Sequence, residues 1–133
     1  MYNIVLINYA KAIQSSRPLV SSNTDGNHPE MRHGHQLVYI ENTNMLHALA
    51  THPIKEGTLR ETYAINHLAF NHSVEYGKQK GDFVVDGKYT IEVGGASKTK
   101  KQIAGVPNAY ILADDIEFPW ENKLPLWLIG FLY

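Results

Sequence analysis

The sequence predicts an α/β (α+β) fold in which helices flank a mixed β-sheet, and three patterns support this prediction. Two apolar runs rich in β-branched residues surround Asp86-Gly87, a dipeptide that favours a hairpin turn. Residues 109–113 are apolar throughout, as expected of a buried strand. A capping box formed by Thr58 and Glu61 predicts the start of a helix that continues to about Phe70.

Length and composition are those of one ordinary domain. The 133 residues include 44% hydrophobic and 11% aromatic side chains, which is enough for a single core. A net charge of −1 argues against a strongly basic nucleic-acid-binding module, and the lack of cysteine excludes disulfides and thiolate metal sites. The first residues contain neither a basic leader nor a membrane-spanning apolar run. We therefore expect a cytoplasmic protein without a membrane segment.

The chain divides into an N-terminal segment with a polar linker, residues 1–36, and an organised domain, residues 37–133. Residues 2–13 are apolar and fit either a strand or a short helix, whereas the composition of residues 14–36 is typical of a linker. Residues 37–40 form a predicted buried strand, and Asn42 or Thr43 is expected to cap a short helix. A further strand is expected at residues 73–76.

The register of the hairpin decides which of its side chains face one another. A two-residue loop would leave Asp82 and Glu92 on opposite faces of the sheet. A three-residue loop with Gly87 in a bulge would set Asp82 opposite Glu92 and place the apolar side chains of both strands on the other face. The hydrophobic pattern favours this second register. Two facing carboxylates repel each other unless a cation, a basic side chain or a proton lies between them.

The elements after the hairpin are predicted from caps and apolar runs. Ser97 is expected to cap a short basic helix that ends at Gly105, before the strand at residues 109–113. The tail, residues 123–133, is strongly apolar, and Pro125 suits the first position of a final helix. We expect this tail to pack on the domain. If it is exposed, it predicts an interface, for example in a homodimer.

The acidic residues of the hairpin resemble the core of restriction-endonuclease-like nucleases. In that fold an Asp in one strand precedes Glu-x-Lys in the next, and Asp82, Glu92 and Val93 match the first parts of this pattern. The resemblance implies a restriction-endonuclease-like core in which Asp82, Glu92 and the Val93 carbonyl hold Mg²⁺ or Mn²⁺. It also implies that a Glu of the first helix, matched in order by Glu61, points toward the metal. Position 94 is Gly where the family has its catalytic Lys.

Lys98 is the candidate to replace the missing lysine, because a Lys displaced from its strand can reach back from the following helix. The alternative is that Lys98, Lys100 and Lys101 form a solvated helix face or contact phosphate weakly. Glu61 likewise has two roles open to it, since it completes the predicted capping box and also matches the acidic residue of the family's first helix.

An ordered series of motifs narrows the resemblance to the C-terminal domain of a bacterial AAA-type ATPase family. The motifs cover residues 40–49, 57–62, 81–95, 98, 101–103, 114–117 and 122–127. In that family an ATPase module precedes this domain, and residues 1–36 do not match such a module. The resemblance implies an ATPase module or another protein subunit as a partner.

Two functions are consistent with these patterns. The first is a non-catalytic domain that docks an ATPase, another subunit or nucleic acid, and the glycine at position 94 and the near-neutral charge favour it. The second is a Mg²⁺- or Mn²⁺-dependent nuclease in which Asp82, Glu92 and Val93 hold the ion, Glu61 assists and Lys98 supplies the cation. No other cofactor is predicted. The two differ in whether the acidic residues and Lys98 share one cleft.

Overall fold

The structure is a computed structural model, and it describes residues 4–7, 37–40, 42–77 and 80–132. The predicted linker at residues 14–36 lies outside the described residues. The elements follow one another in the order β1 (Ile4–Ile7), β2 (Leu37–Ile40), α1 (Thr43–Leu49), α2 (Glu56–Leu68), β3 (Val74–Tyr76), β4 (Phe83–Val85), β5 (Tyr89–Gly94), a 3₁₀ turn (Lys100–Ile103), β6 (Ala109–Ala113), β7 (Lys123–Pro125) and a 3₁₀ helix (Leu126–Phe131).

A five-stranded mixed sheet forms the centre of the fold, in the order β3-β4-β5-β6-β7. Its first three strands are antiparallel, whereas β5, β6 and β7 run parallel to one another. Strands β1 and β2 form a separate parallel pair. The mixed α/β class and the helices that flank the sheet agree with the prediction from sequence. Strand β5 is the central strand, so its residues have neighbours on both sides.

The hairpin between β4 and β5 has the register that the hydrophobic pattern predicted. Phe83 pairs with Ile91 and Val85 pairs with Tyr89, which leaves a three-residue loop. Within the loop, Asp86 and Gly87 have φ angles of 52° and 63°, the left-handed conformation that an Asp-Gly turn supplies. Extending this register by one residue sets Asp82, which precedes β4, opposite Glu92 of β5.

The two faces of the sheet carry two apolar clusters. Helix α2 packs on one face, where Ile65 and Leu68 join Phe83, Ile91 and Val93 in the main core. A smaller cluster on the opposite face comprises Ile103, Ala109, Ile111 and Ala113. Because side chains alternate along a strand, a residue between Ile91 and Val93 must point away from the main core.

The predicted capping box is wrong. Helix α2 begins at Glu56, two residues before Thr58, and Lys55 precedes it without a side-chain cap. An ion pair between Glu56 and Arg60, 3.0 Å long and one turn apart, supports this earlier start. Thr58 therefore lies inside the helix, and Glu61 is free of the capping role that the sequence assigned to it.

Of three further local predictions, one is confirmed and two are wrong. Asn42 caps α1, since its side chain accepts a 2.7 Å hydrogen bond from the Asn44 N–H. Ser97 caps no helix, because the chain turns first and a short 3₁₀ turn begins at Lys100 without a side-chain cap. Pro125 is the last residue of β7 and precedes the final 3₁₀ helix rather than opening it.

Only part of the apolar tail, residues 123–133, packs against the main core. Leu126 and Ile129 are buried in the main core. Trp127 and Phe131 lie next to each other with 49% and 67% of their surfaces exposed. Among the helices that the structure describes, none combines the length and the apolar composition that a bilayer crossing requires.

Candidate functional site

Asp82 lies where the chain enters β4, and main-chain bonds hold it against β5. Its N–H donates to the Ile91 carbonyl over 2.8 Å, and its Oδ2 accepts a 2.7 Å hydrogen bond from the Val93 N–H. Gly81 precedes it with a φ of 73°, and a Cβ there would lie 2.9 Å from the Ile91 carbonyl oxygen. The close approach that places Asp82 therefore requires a glycine at position 81.

Glu92 is a buried carboxylate on the central strand. It lies between Ile91 and Val93, so its side chain projects from the face opposite α2, and only 1% of its surface is exposed. Burial raises the pKa of this carboxyl group and the charge of Asp82 raises it further, whereas Lys98 opposes the shift. Glu92 Oε1 forms an ion pair with the Lys98 ammonium.

Gly94 and Lys98 share one space above β5. A Cβ at position 94 would lie 2.8 Å from Cγ and Cδ of Lys98 and 2.9 Å from its Cβ. The aliphatic part of Lys98 thus occupies the place of a side chain at position 94. Because residues 92 and 94 face the same side of the strand, this route brings the Lys98 ammonium onto Glu92.

Glu61 approaches the same charges from α2. Its Oε2 accepts a 3.1 Å hydrogen bond from the Tyr39 hydroxyl, which is 22 residues away in sequence. Burial raises the pKa of Glu61, and the charges of Asp82 and Glu92 add to this effect, whereas Tyr39 and Lys98 oppose it. Burial, followed by the charge of Glu61, also raises the pKa of Tyr39, which therefore remains a hydrogen-bond donor.

Of the four predicted side chains, Lys98 and Glu92 are in direct contact, and charge effects link Glu61 and Asp82 to this pair. Helix α2 covers the face of the sheet opposite the Glu92 side chain, so Glu61 interacts with Glu92 and Lys98 through their charges. Asp82, directly before β4, bonds the Val93 N–H, and its charge acts on Glu92. The roles of these residues in binding or catalysis are predictions.

A metal ion at this site would need ligands in addition to side chains, such as a backbone carbonyl and water. Among residues 4–7, 37–40, 42–77 and 80–132, no three His, Asp or Glu side chains form a group suited to a metal ion. The predicted set of Asp82, Glu92 and the Val93 carbonyl contains only oxygen donors. The N–H and C=O of a strand residue point to the same side, so the Val93 carbonyl points to the side on which its N–H meets Asp82. Such a set suits Mg²⁺ or Mn²⁺, with water completing the shell.

Sequence patterns missed two residues that support the site. Tyr39 bonds Glu61, and Arg60 joins α2 to the end of β6 through a 3.0 Å contact between its Nε and Asp114 Oδ2. The Arg60 guanidinium also lies 3.4 Å from where a Cβ on Gly95 would lie. Both contacts join residues far apart in sequence, so no local motif indicates them.

Comparisons with protein-family models, with curated proteins and with solved structures yield no match to this chain. The arrangement of the residues themselves is therefore the basis for any functional conclusion.

Replacing Gly94 with Ala should displace Lys98 from Glu92. The added methyl group would lie within 3 Å of the Lys98 stem, so we expect the variant to lose about 1–3 kcal/mol of unfolding free energy in urea. Gly57→Ala is the matched control, because no atom lies within 4 Å of the added Cβ. That helical substitution should be neutral or stabilising by up to about 1 kcal/mol. Equal effects at the two positions would contradict the close approach at Gly94.

Glu61→Gln should stabilise the protein at neutral pH. The pKa of Glu61 is raised in the folded state, so the unfolded chain loses this proton first and the unfolding free energy falls as pH rises above the ordinary value of 4.5. Gln keeps an acceptor for Tyr39 but does not titrate. We expect the advantage of the variant in urea unfolding to disappear near about pH 4. The exposed Glu75→Gln serves as control, and an advantage of Glu61→Gln that is independent of pH would contradict the account.

Proposed function

We propose that this protein is a divalent-metal-dependent nuclease with a restriction-endonuclease-like core, in which Lys98 replaces the lysine that position 94 lacks. One observation carries the proposal: the Lys98 stem lies over Gly94 and its ammonium pairs with the buried Glu92. A lysine at position 94 would start from the same side of β5. The order of α2, β3, β4, β5 and β6 is consistent with such a core.

The charges of the site favour a divalent cation. Glu61, Asp82 and Glu92 act on one another, and Lys98 is the ammonium that acts on both glutamates. Three carboxylates and one ammonium leave two uncompensated negative charges. Asp82 and Glu92 would hold a divalent ion that compensates this charge, and such an ion would supply charge stabilisation at a phosphodiester and activation of a water. Mg²⁺ in proteins commonly uses one or two carboxylates and retains several waters.

Each residue has a separate task in this proposal. Asp82 and Glu92 would hold the ion, together with the Val93 carbonyl. Asp82 is fixed for this purpose by the Val93 N–H, and Glu92 by its place on the central strand. The Lys98 ammonium would bind the non-bridging phosphate oxygen, where negative charge grows as water attacks phosphorus and the ester bond breaks. Glu61 would strengthen the negative field that attracts the ion.

A docking domain without catalytic activity is the second candidate. Exposed aromatic side chains favour the docking domain, since Phe118 and Trp120 are 74% and 76% exposed. Exposed aromatic residues are enriched where proteins meet a partner. An ATPase module, another subunit, nucleic acid or a second copy of the chain would be the partner. In this case the ion pair of Lys98 and Glu92 would serve the fold alone.

Metal binding and cleavage distinguish the two candidates. Calorimetric titration with MgCl₂ and MnCl₂ should show binding to the wild type and loss of binding in Asp82→Asn with Glu92→Gln, substitutions that keep the shape of both side chains. Lys98→Met should still bind Mn²⁺, since it removes a competing cation, but its cleavage of a DNA and RNA panel should fall by about 10²–10³-fold.

Lys101→Met is the matched control, because Lys101 is an exposed lysine in the 3₁₀ turn that follows Lys98. Its cleavage should stay within a few-fold of the wild type. A wild type that binds neither ion and cleaves no member of the panel would rule out the nuclease and leave the docking domain.

A further inference from the structure

A second lysine, Lys123 of the edge strand β7, binds the turn that carries Lys98. Residues 95–99 connect β5 to the 3₁₀ turn, and within residues 95–98 the Lys98 N–H donates to the Gly95 carbonyl over 3.0 Å. Two carbonyls of this turn accept hydrogen bonds from the Lys123 ammonium. The Lys98 carbonyl oxygen lies 3.1 Å from Nζ, and the Ala96 carbonyl accepts a second bond.

Lys123 is itself fixed by main-chain bonds. It opens β7, pairs with Ile111 of β6, and exchanges two 2.9 Å hydrogen bonds with Trp120. Among the ion pairs of the described residues, none joins Lys123 to a carboxylate, whereas Lys98 pairs with Glu92 and Lys100 with Glu121. The charge of Lys123 is thus directed at the backbone of the turn.

The position of this backbone decides where the Lys98 side chain goes. A lysine has four rotatable bonds, so an unrestrained ammonium samples many positions. Here the Lys98 Cβ is already within contact distance of position 94, and the stem follows the strand from that point. A shift of the Lys98 carbonyl, which Lys123 binds, would move the start of the stem away from Gly94.

We propose that Lys123 is a positioning residue that holds the turn of residues 95–98 so that the Lys98 ammonium rests on Glu92. The catalytic meaning of this inference rests on the proposed function, whereas the geometry does not. Lys123 lies far beyond the acidic hairpin in sequence and, although it falls within the motif at residues 122–127, the sequence patterns assign it no role at the site.

The test compares Lys123→Met, Lys123→Gln and Lys123→Arg with Lys100→Met as matched control. Lys100 forms an exposed ion pair with Glu121 beside the same turn, and such pairs contribute little. The readout is the ¹⁵Nζ resonance of Lys98, assigned by its loss in Lys98→Met. An ammonium held in an ion pair exchanges its protons with water slowly and gives a distinct signal.

We expect the Lys98 signal to vanish in Lys123→Met and Lys123→Gln, to return in Lys123→Arg and to persist in Lys100→Met. In cleavage assays kcat should fall about tenfold or more in the two neutral variants, with KM nearly unchanged, because misplacement affects the reacting geometry more than binding. A Lys98 signal that persists in both neutral variants would overturn the inference.

The outcomes separate this inference from the proposed function. If the signal follows Lys123 but no variant and no wild type cleaves, the positioning holds and the nuclease proposal fails. If the wild type cleaves and both neutral Lys123 variants match it in signal and in kcat, the nuclease proposal holds and the positioning fails.

Discussion

The ion pair between Lys98 and Glu92 is the contact on which the rest of the site depends. Glu92 is almost fully buried on the central strand, and an ionised carboxylate in such a place is costly without a cation. Lys98 can reach it only because position 94 carries no side chain. A glycine and a lysine four residues apart therefore act as one unit, and loss of either leaves the buried charge uncompensated.

The surrounding fold is arranged to concentrate charge at this contact. The three-residue loop of the hairpin sets Asp82 beside β5, and α2 brings Glu61 to the same region from the other face. Burial, together with the charge of Asp82, raises the pKa values of both glutamates, so the arrangement costs stability at neutral pH. Clustered carboxylates with raised pKa values are typical of functional sites, where stability is given up for activity.

Local patterns predicted the parts of the structure that local interactions determine. The register of the hairpin follows from its apolar alternation and from Asp86-Gly87, and the cap at Asn42 follows from its side chain. The predicted capping box is wrong because α2 already begins at Glu56, where an ion pair with Arg60 lies within the first turns. The predicted cap at Ser97 failed because the chain forms a turn there, which Lys123 binds from a distant strand.

The contacts of the candidate site were predicted only in part, because several of them join residues that are far apart in sequence. Lys98 was a candidate because it follows β5 closely, and its ion pair with Glu92 spans six residues. Tyr39, which bonds Glu61, and Lys123, which bonds the turn, are more than twenty residues from their partners. Contacts of that range depend on how the elements pack, and a single sequence does not specify this packing.

The most direct test of the account exchanges the two residues of the central unit. Lys98→Gly alone removes the ammonium and the stem, and it should abolish Mn²⁺-dependent cleavage. Adding Gly94→Lys places a lysine at the position used in restriction-endonuclease-like sites, in the space that the stem has vacated. We predict that the exchanged protein regains cleavage. An exchanged protein that folds and binds Mn²⁺ but remains as inactive as Lys98→Gly would contradict it.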